Sequence, residues 1–184
     1  RFPGKVLNTI INNQNLLEII IESLKKNKNY KNIIIATSKN KIDDKIENFC
    51  IKNKVSIIRG DHQNVYSRTV KCIKLKKLDY IVRVCADRPF FDTTIMNKMI
   101  QIILRDEYDI VTNVFPRTFP KGLTCEVANS KIFLETKSSI LNSKEKEHIF
   151  NYFYKKKNFK IFNLDLNLKR KFINQNFCID NTRD

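Results

Sequence analysis

Where this sequence leaves an apolar run, it repeatedly sets down groups that grip phosphate or a hard cation. After NIIIA come Thr37 and Ser38; after VSII come Arg59, Gly60 and Asp61. After YIVRVCA come Asp87, Arg88 and Pro89, and after NFCI come Asp180 and Asn181. In an open parallel sheet, ligands bind outside the carboxyl ends of the strands. If these ends converge, one cleft holds two carboxylates, several hydroxyls and several cations, the set a metal-bound polyphosphate needs. The opening residues RFPGK add Arg1 and Lys5 around a Pro3-Gly4 turn. Arginine forks onto phosphate oxygens and lysine supplies a point charge, so this turn is the candidate phosphate grip. Gly4, Gly60 and Gly122 are the only glycines, and each falls in such a turn or in a Pro-bounded loop. Lacking a Cβ, they allow close backbone approach to a ligand. Neither G-x-x-x-x-G-K-[ST] nor G-x-G-x-x-G occurs, which disfavours P-loop ATPases and dinucleotide dehydrogenases.

Taken singly, these residues have ordinary readings as well. Asp87 can cap a turn before Pro89, Asp180 can cap a following helix, and RFPGK can be a solvated loop. For Asp87 the metal reading is favoured, because a charge ending a buried apolar run needs a partner. His148, in EHIFNYFY, reads better as a hydrogen-bonded helix residue than as an acid or base. The aromatics Phe150, Tyr152, Phe153 and Tyr154 read as core or a subunit interface.

The elements that must position these groups alternate. LLEIIIESLKK (16–26) has helical spacing, and NIIIAT (32–37) is a short β-branched run. DDKIENFCIKN reads as a helix capped by Asp43 or Asp44, followed by the strand VSIIRG. NVYSRTVKCIKLKK, YIVRVCAD, TTIMNKMIQIILRDE (capped by Asp92 or Thr93) and DIVTN continue as helix, strand, helix and strand. Apolar strands alternating with helices predict an α/β layer fold with a mostly parallel sheet. Residues 114–162 break the rhythm with FPRTFPKG, a strand-like LTCEVAN, two helical segments and a strand in FKIFNLDL. We read 1–184 as a single domain, with 114–162 an insertion or subregion.

Size and composition set bounds. The chain has 184 residues and 42% hydrophobic content, ample for one core. No apolar run reaches the ~20 residues of a membrane span, so no membrane role is expected. The five cysteines are scattered without a C-x-x-C pair, which argues against zinc or a disulfide framework and for reduced thiols in the cytoplasm. Lys+Arg 35 against Asp+Glu 19 gives a formal +16. The lysines are spread along the chain, as in KKNKNYKNIII, and no RNA- or DNA-binding signature accompanies them. Nucleic acid is therefore not expected as the partner.

With these residues in place, RFPGKVL resembles an element of the nucleotide-sugar cytidylyltransferases. It is closest in pattern to their spore coat polysaccharide biosynthesis (SpsF-like) branch, related to the acylneuraminate and 3-deoxy-manno-octulosonate cytidylyltransferases. IIIATSKNKIDDKI, IIRGDHQNVYSR, YIVRVCADRPFFD, TNVFPRTFPKGLTCEV, KEHIFNYFY and CIDNTRD follow in the family's order, from the first residue to the last. Cys85-Ala86 stands where the family has threonine-glycine, and DNTRD replaces its D-T-P-E-D.

The resemblance implies a three-layer, Rossmann-like nucleotidyltransferase fold whose first strand precedes RFPGK and is missing from this sequence. It implies transfer of CMP from CTP to a sugar bound for a surface polysaccharide, with release of pyrophosphate. Arg1 and Lys5 would hold the triphosphate and stabilise its developing charge, with Gly4 and Gly60 close to the nucleotide. Asp87 and Asp180 would ligate Mg²⁺. Thr37 and Ser38 would line the base and ribose pocket, while Arg117, Lys121 and Glu126 would face the sugar with His148 nearby. A homodimer is the expected assembly. Open alternatives are another base or acceptor, a non-catalytic homologue, or a basic polyanion-binding module.

Overall fold

The computed structural model describes residues 4–26 and 32–179. In chain order they form β1 (Thr9–Ile11), β2 (Gln14–Asn15), α1 (Leu16–Lys25), β3 (Ile34–Ser38), α2 (Asp44–Lys52), β4 (Ser56–Gly60), α3 (Val65–Lys76) and β5 (Tyr80–Arg83). There follow α4 (Thr93–Asp106), β6 (Ile110–Thr112), β7 (Glu126–Asn129), α5 (Ser130–Glu135), α6 (Ser143–Glu147), α7 (Asn151–Tyr154), β8 (Ile161–Asn163) and α8 (Arg170–Ile173). None of the described helices is long and apolar enough to cross a membrane. The chain divides into two compact units, one of residues 1–31, 82–128 and 160–184, the other of 32–81 and 129–159.

The first unit begins with a hairpin. Asn12 and Asn13 take φ of 49° and 61°, the left-handed conformation that asparagine tolerates and a two-residue hairpin turn requires. Asn15 then starts α1 through a reciprocal capping box with Glu18. Asp92 caps α4 by accepting from the Thr94 and Ile95 amides. The sheet has the order β5–β7–β6–β8. β8 runs parallel to β6, but β7 runs antiparallel to it, pairing Thr112 with Glu126 and Ile110 with Ala128. The sheet is thus mixed, because the loop between Thr112 and Glu126 turns the chain straight back beside the strand it has left. Ile20, Met96, Met99, Ile103, Val111, Phe119, Val127 and Leu164 fill the core beneath it.

The second unit holds the parallel pair β3–β4, in register from Ile34↔Ser56 to Ser38↔Gly60. Asn64, accepting from the Ser67 amide, caps α3. Tyr66 is fully buried, and its hydroxyl donates to the Phe133 and Thr136 carbonyls at 2.9 and 3.1 Å. Its ring stacks on Phe133, which meets Phe150 and Phe153 edge-on. The aromatic run after His148 therefore contributes Phe150 and Phe153 to the core.

Candidate active site

In the first unit, Gly4 (φ 75°) precedes a 3-10 turn over Lys5–Leu7. That turn aims the Lys5 ammonium at the end of β5. Its Nζ donates to the Ile179 carbonyl at 2.7 Å and lies 3.7 Å from Asp87 Oδ2. The Ile179 amide in turn donates to the Asp87 carbonyl at 2.9 Å. Lys5, Asp87 and the residue preceding Asp180 are thereby tied together. Arg1 and Asp180 lie outside the described residues.

Asp87 Oδ1 is buried and has no hydrogen-bond partner. Arg88 Nε, 3.8 Å away, is equally buried and unpartnered. The Arg88 guanidinium is anchored elsewhere: Nη1 donates to the Thr124 carbonyl at 3.0 Å and to its hydroxyl at 2.8 Å. Beside Thr124, the buried Glu126 carboxylate pairs with Arg83 at 3.2 Å. Asn113 fixes this loop by accepting from the Cys125 amide at 2.8 Å and donating to the Leu123 carbonyl at 3.4 Å. Arg117 and Lys121 are exposed on the same loop. Lys121 is bound to the 175–177 segment through backbone hydrogen bonds with Gln175 and Phe177.

The second unit carries Thr37, Ser38, Gly60 and His148. Both hydroxyls are buried and donate to Asp43 Oδ2, Thr37 at 2.8 Å and Ser38 at 2.6 Å, and the Ser38 amide joins them at 3.0 Å. Sequence reasoning took Asp43 for a plain helix cap. It stands at the N-cap of α2 but makes no side-chain cap bond there, its carboxylate being turned back onto the end of β3. Burial tends to raise its pKa, but the hydrogen bonds from Ser38 and Thr37 prevail and hold the carboxyl below the usual range. Arg59 is likewise a clamp: Nε donates to the Ser38 carbonyl, Nη2 to the Asn40 carbonyl and Asp44, and Nη1 to Glu47. Packing favours glycine at position 60, since a Cβ there would stand 2.5 Å from Arg68 Cγ and the Arg68 side chain would have to shift. His148 is exposed at the C-cap of α6. Asp43, Arg59, Arg88 and Asn113 organise these loops. The sequence offers Asp43 as a cap and Arg59 and Arg88 at strand ends, but it shows neither their partners nor the part of Asn113.

A family profile described as cytidylyltransferase matches residues 1–184. The chain belongs to the cytidylyltransferase family. A solved cytidylyltransferase from Leptospira borgpetersenii superposes with a TM-score of 0.88 at 29% identity, covering 98% of this chain and 76% of that one. The α/β nucleotidyltransferase fold follows, with the mixed sheet described above. The spore coat polysaccharide biosynthesis protein SpsF of Bacillus subtilis is 31% identical over 159 residues, covering 83% of this chain and 64% of SpsF. An 8-amino-3,8-dideoxy-manno-octulosonate cytidylyltransferase of Shewanella sp. is 29% identical over 117 residues, 61% of this chain and 46% of that enzyme. The chain thus spans less than two thirds of the length of these two relatives.

Proposed function

We propose that the protein transfers CMP from CTP to a sugar, an acidic or modified one destined for surface polysaccharide, and releases pyrophosphate. The observation that carries this reading is the convergence of Lys5, Asp87 and Ile179 at the end of β5, in a chain of the cytidylyltransferase family. In the reaction a sugar hydroxyl forms a bond to the α-phosphorus of CTP, the bond to the β-phosphate breaks, and pyrophosphate departs. No covalent enzyme intermediate is needed, so positioning and charge neutralisation supply the catalysis.

Lys5 neutralises charge that accumulates on the triphosphate as the bond to pyrophosphate breaks, with Arg1 as its partner on the phosphates. Asp87 offers a hard carboxylate whose Oδ1 lacks a hydrogen bond, which suits Mg²⁺. Asp180 would supply the second carboxylate. Among the described residues no group of three or more His, Cys, Asp or Glu could hold a metal, so phosphate and water oxygens would complete the shell. Bound there, Mg²⁺ would polarise the phosphoryl oxygens. Thr37, Ser38 and Gly60 would serve the nucleotide through the loop that Asp43 and Arg59 brace. Arg117, Lys121, Glu126 and His148 would meet the sugar, Glu126 being held by Arg83. The five cysteines form no disulfide with one another, which suits a cytoplasmic enzyme, and a homodimer is the expected assembly.

Pyrophosphate release tests the reading, with CTP, Mg²⁺ and a panel of sugar acids. CTP- and sugar-dependent release is expected. Equal release with the other nucleoside triphosphates points to broader base use, and no release with any sugar rejects the activity.

A further inference from the structure

Residues 61–64, between β4 and α3, are shaped by a side chain of the helix that follows them. Arg68 Nη1 donates to the Asp61 carbonyl at 2.5 Å and to the His62 carbonyl at 3.1 Å. Gly60 leaves room for this reach, since a Cβ there would stand 2.5 Å from Arg68 Cγ. The Asp61 carboxylate accepts from the Gln63 and Asn64 amides at 2.8 and 2.7 Å. A trans peptide sets its N–H opposite its C=O. With the Asp61 carbonyl drawn onto Arg68, the His62 N–H is therefore turned the other way. The Gln63 amide is taken by Asp61, whereas the N–H of the exposed His62 makes no hydrogen bond among the described residues. Gly60 pairs with Ser38 in the last rung of β3–β4, and the Lys39 amide donates to the Gly60 carbonyl at 2.8 Å. The segment that carries this N–H thus leaves the sheet beside Thr37 and Ser38, the residues read as lining the base and ribose.

We propose that Arg68 is a positioning residue: by holding both carbonyls it presents the His62 N–H as a donor to an acceptor oxygen of the nucleoside. The inference rests on the reading of Thr37, Ser38 and Gly60 as nucleotide residues. It adds the group that meets the nucleoside and the side chain that aims it. Without Arg68 the peptide after Asp61 is free to rotate, and binding must first fix it, which weakens the complex.

The test is a calorimetric titration of the whole protein with CTP and with CMP, together with the His62 amide resonance in an isotope-labelled sample. Wild type should bind both nucleotides, and each should shift the His62 amide. Arg68→Gln should weaken CTP and CMP by the same factor, about fivefold, the worth of one hydrogen bond. Arg68→Lys, which can still donate to both carbonyls, should recover most of that loss. A loss confined to CTP would assign the segment to the phosphates and overturn the inference. An Arg68→Gln protein that binds both nucleotides as wild type does overturns it too. If Arg68→Gln does not fold, the wild-type amide decides alone: no shift of His62 with CMP overturns the inference. Ribose 5-phosphate tells the acceptors apart, since a shift with it places the oxygen on the ribose and a shift with CMP alone places it on the base. Wild type that binds neither nucleotide rejects the proposed activity itself, a result distinct from intact binding with an inert Arg68.

Discussion

Replacing Gly122 by alanine tests how the 175–179 segment is held against the loop that carries Lys121. Gly122 has φ of 99°, and a Cβ there would stand 2.5 Å from the Phe177 carbonyl carbon, 2.7 Å from its oxygen and 2.9 Å from the Cys178 nitrogen. All three are backbone atoms, fixed on one side by the hydrogen bond from the Phe177 amide to the Lys121 carbonyl at 2.7 Å. No rotamer change relieves that clash. A left-handed backbone costs a non-glycine residue about 1–2 kcal/mol, and overpacking a closed contact costs about 1–3 kcal/mol. The sum is roughly 2–5 kcal/mol, which for a chain of this size lowers the melting temperature by about 4–20 °C. Gly60→Ala is the matched control. Its Cβ meets Arg68 Cγ at 2.5 Å, but a side chain can swing aside, so a loss of about 1 kcal/mol is expected. Thermal unfolding followed by circular dichroism reads both. A Gly122→Ala protein melting within about 1 °C of wild type would refute the reasoning.

Lys5→Met keeps length and removes charge; if Lys5 serves charge developing in the transition state, turnover should drop about 100-fold or more while CTP affinity changes less. A raised Michaelis constant with turnover intact would instead assign it to ground-state binding. Asp43→Ala leaves the buried hydroxyls of Thr37 and Ser38 without their acceptor and should cost about 2–3 kcal/mol, read by denaturant unfolding, with Asp43→Asn milder. Because the Asp43 pKa is lowered on folding, its contribution is present above the ordinary aspartate value of about 4 and is lost as pH falls through the lower folded value. The Ser38 amide resonance should therefore hold its position down to about pH 4, and a midpoint above that would contradict the three-bond geometry. Burial pushes the Cys125 thiol up to about 12, so iodoacetamide at pH 8 should spare it in the folded protein and label the half-buried Cys85 first.

Much of the architecture was legible because hydrophobic period and caps agree. LLEIIIESLKK became α1, Asp92 caps α4, and β3, β4 and β6 lie within a residue or two of the runs that announced them. The antiparallel course of β7 was not legible, because strand direction depends on where the loop after Thr112 returns the chain and not on the composition of LTCEVAN. The β1–β2 hairpin escaped notice although Asn12-Asn13 carries a turn signal, its strands being too short to show alternation. At the site, Lys5 and Asp87 were readable from their places beside a Gly turn and a strand end. Asp43, Arg59 and Arg88 were not, because their roles are set by what their neighbours leave unsatisfied. An aspartate at a helix start looks like a cap until Thr37 and Ser38 are seen to claim it. Gly60 meets a packing constraint in Arg68 that the sequence does not show.

The first unit is assembled from residues 1–31, 82–128 and 160–184, with the other unit's residues threaded between them. The hydrogen bond from Lys5 to Ile179 closes a span of 174 residues. The loop-closure entropy of such a contact must be met before it contributes anything. During synthesis Lys5 must wait, without this partner, until Ile179 has left the ribosome. The surroundings of Asp87 accordingly mature only after the intervening residues have been made. A nascent chain stalled short of Ile179 would lack the carbonyl that holds Lys5 beside Asp87.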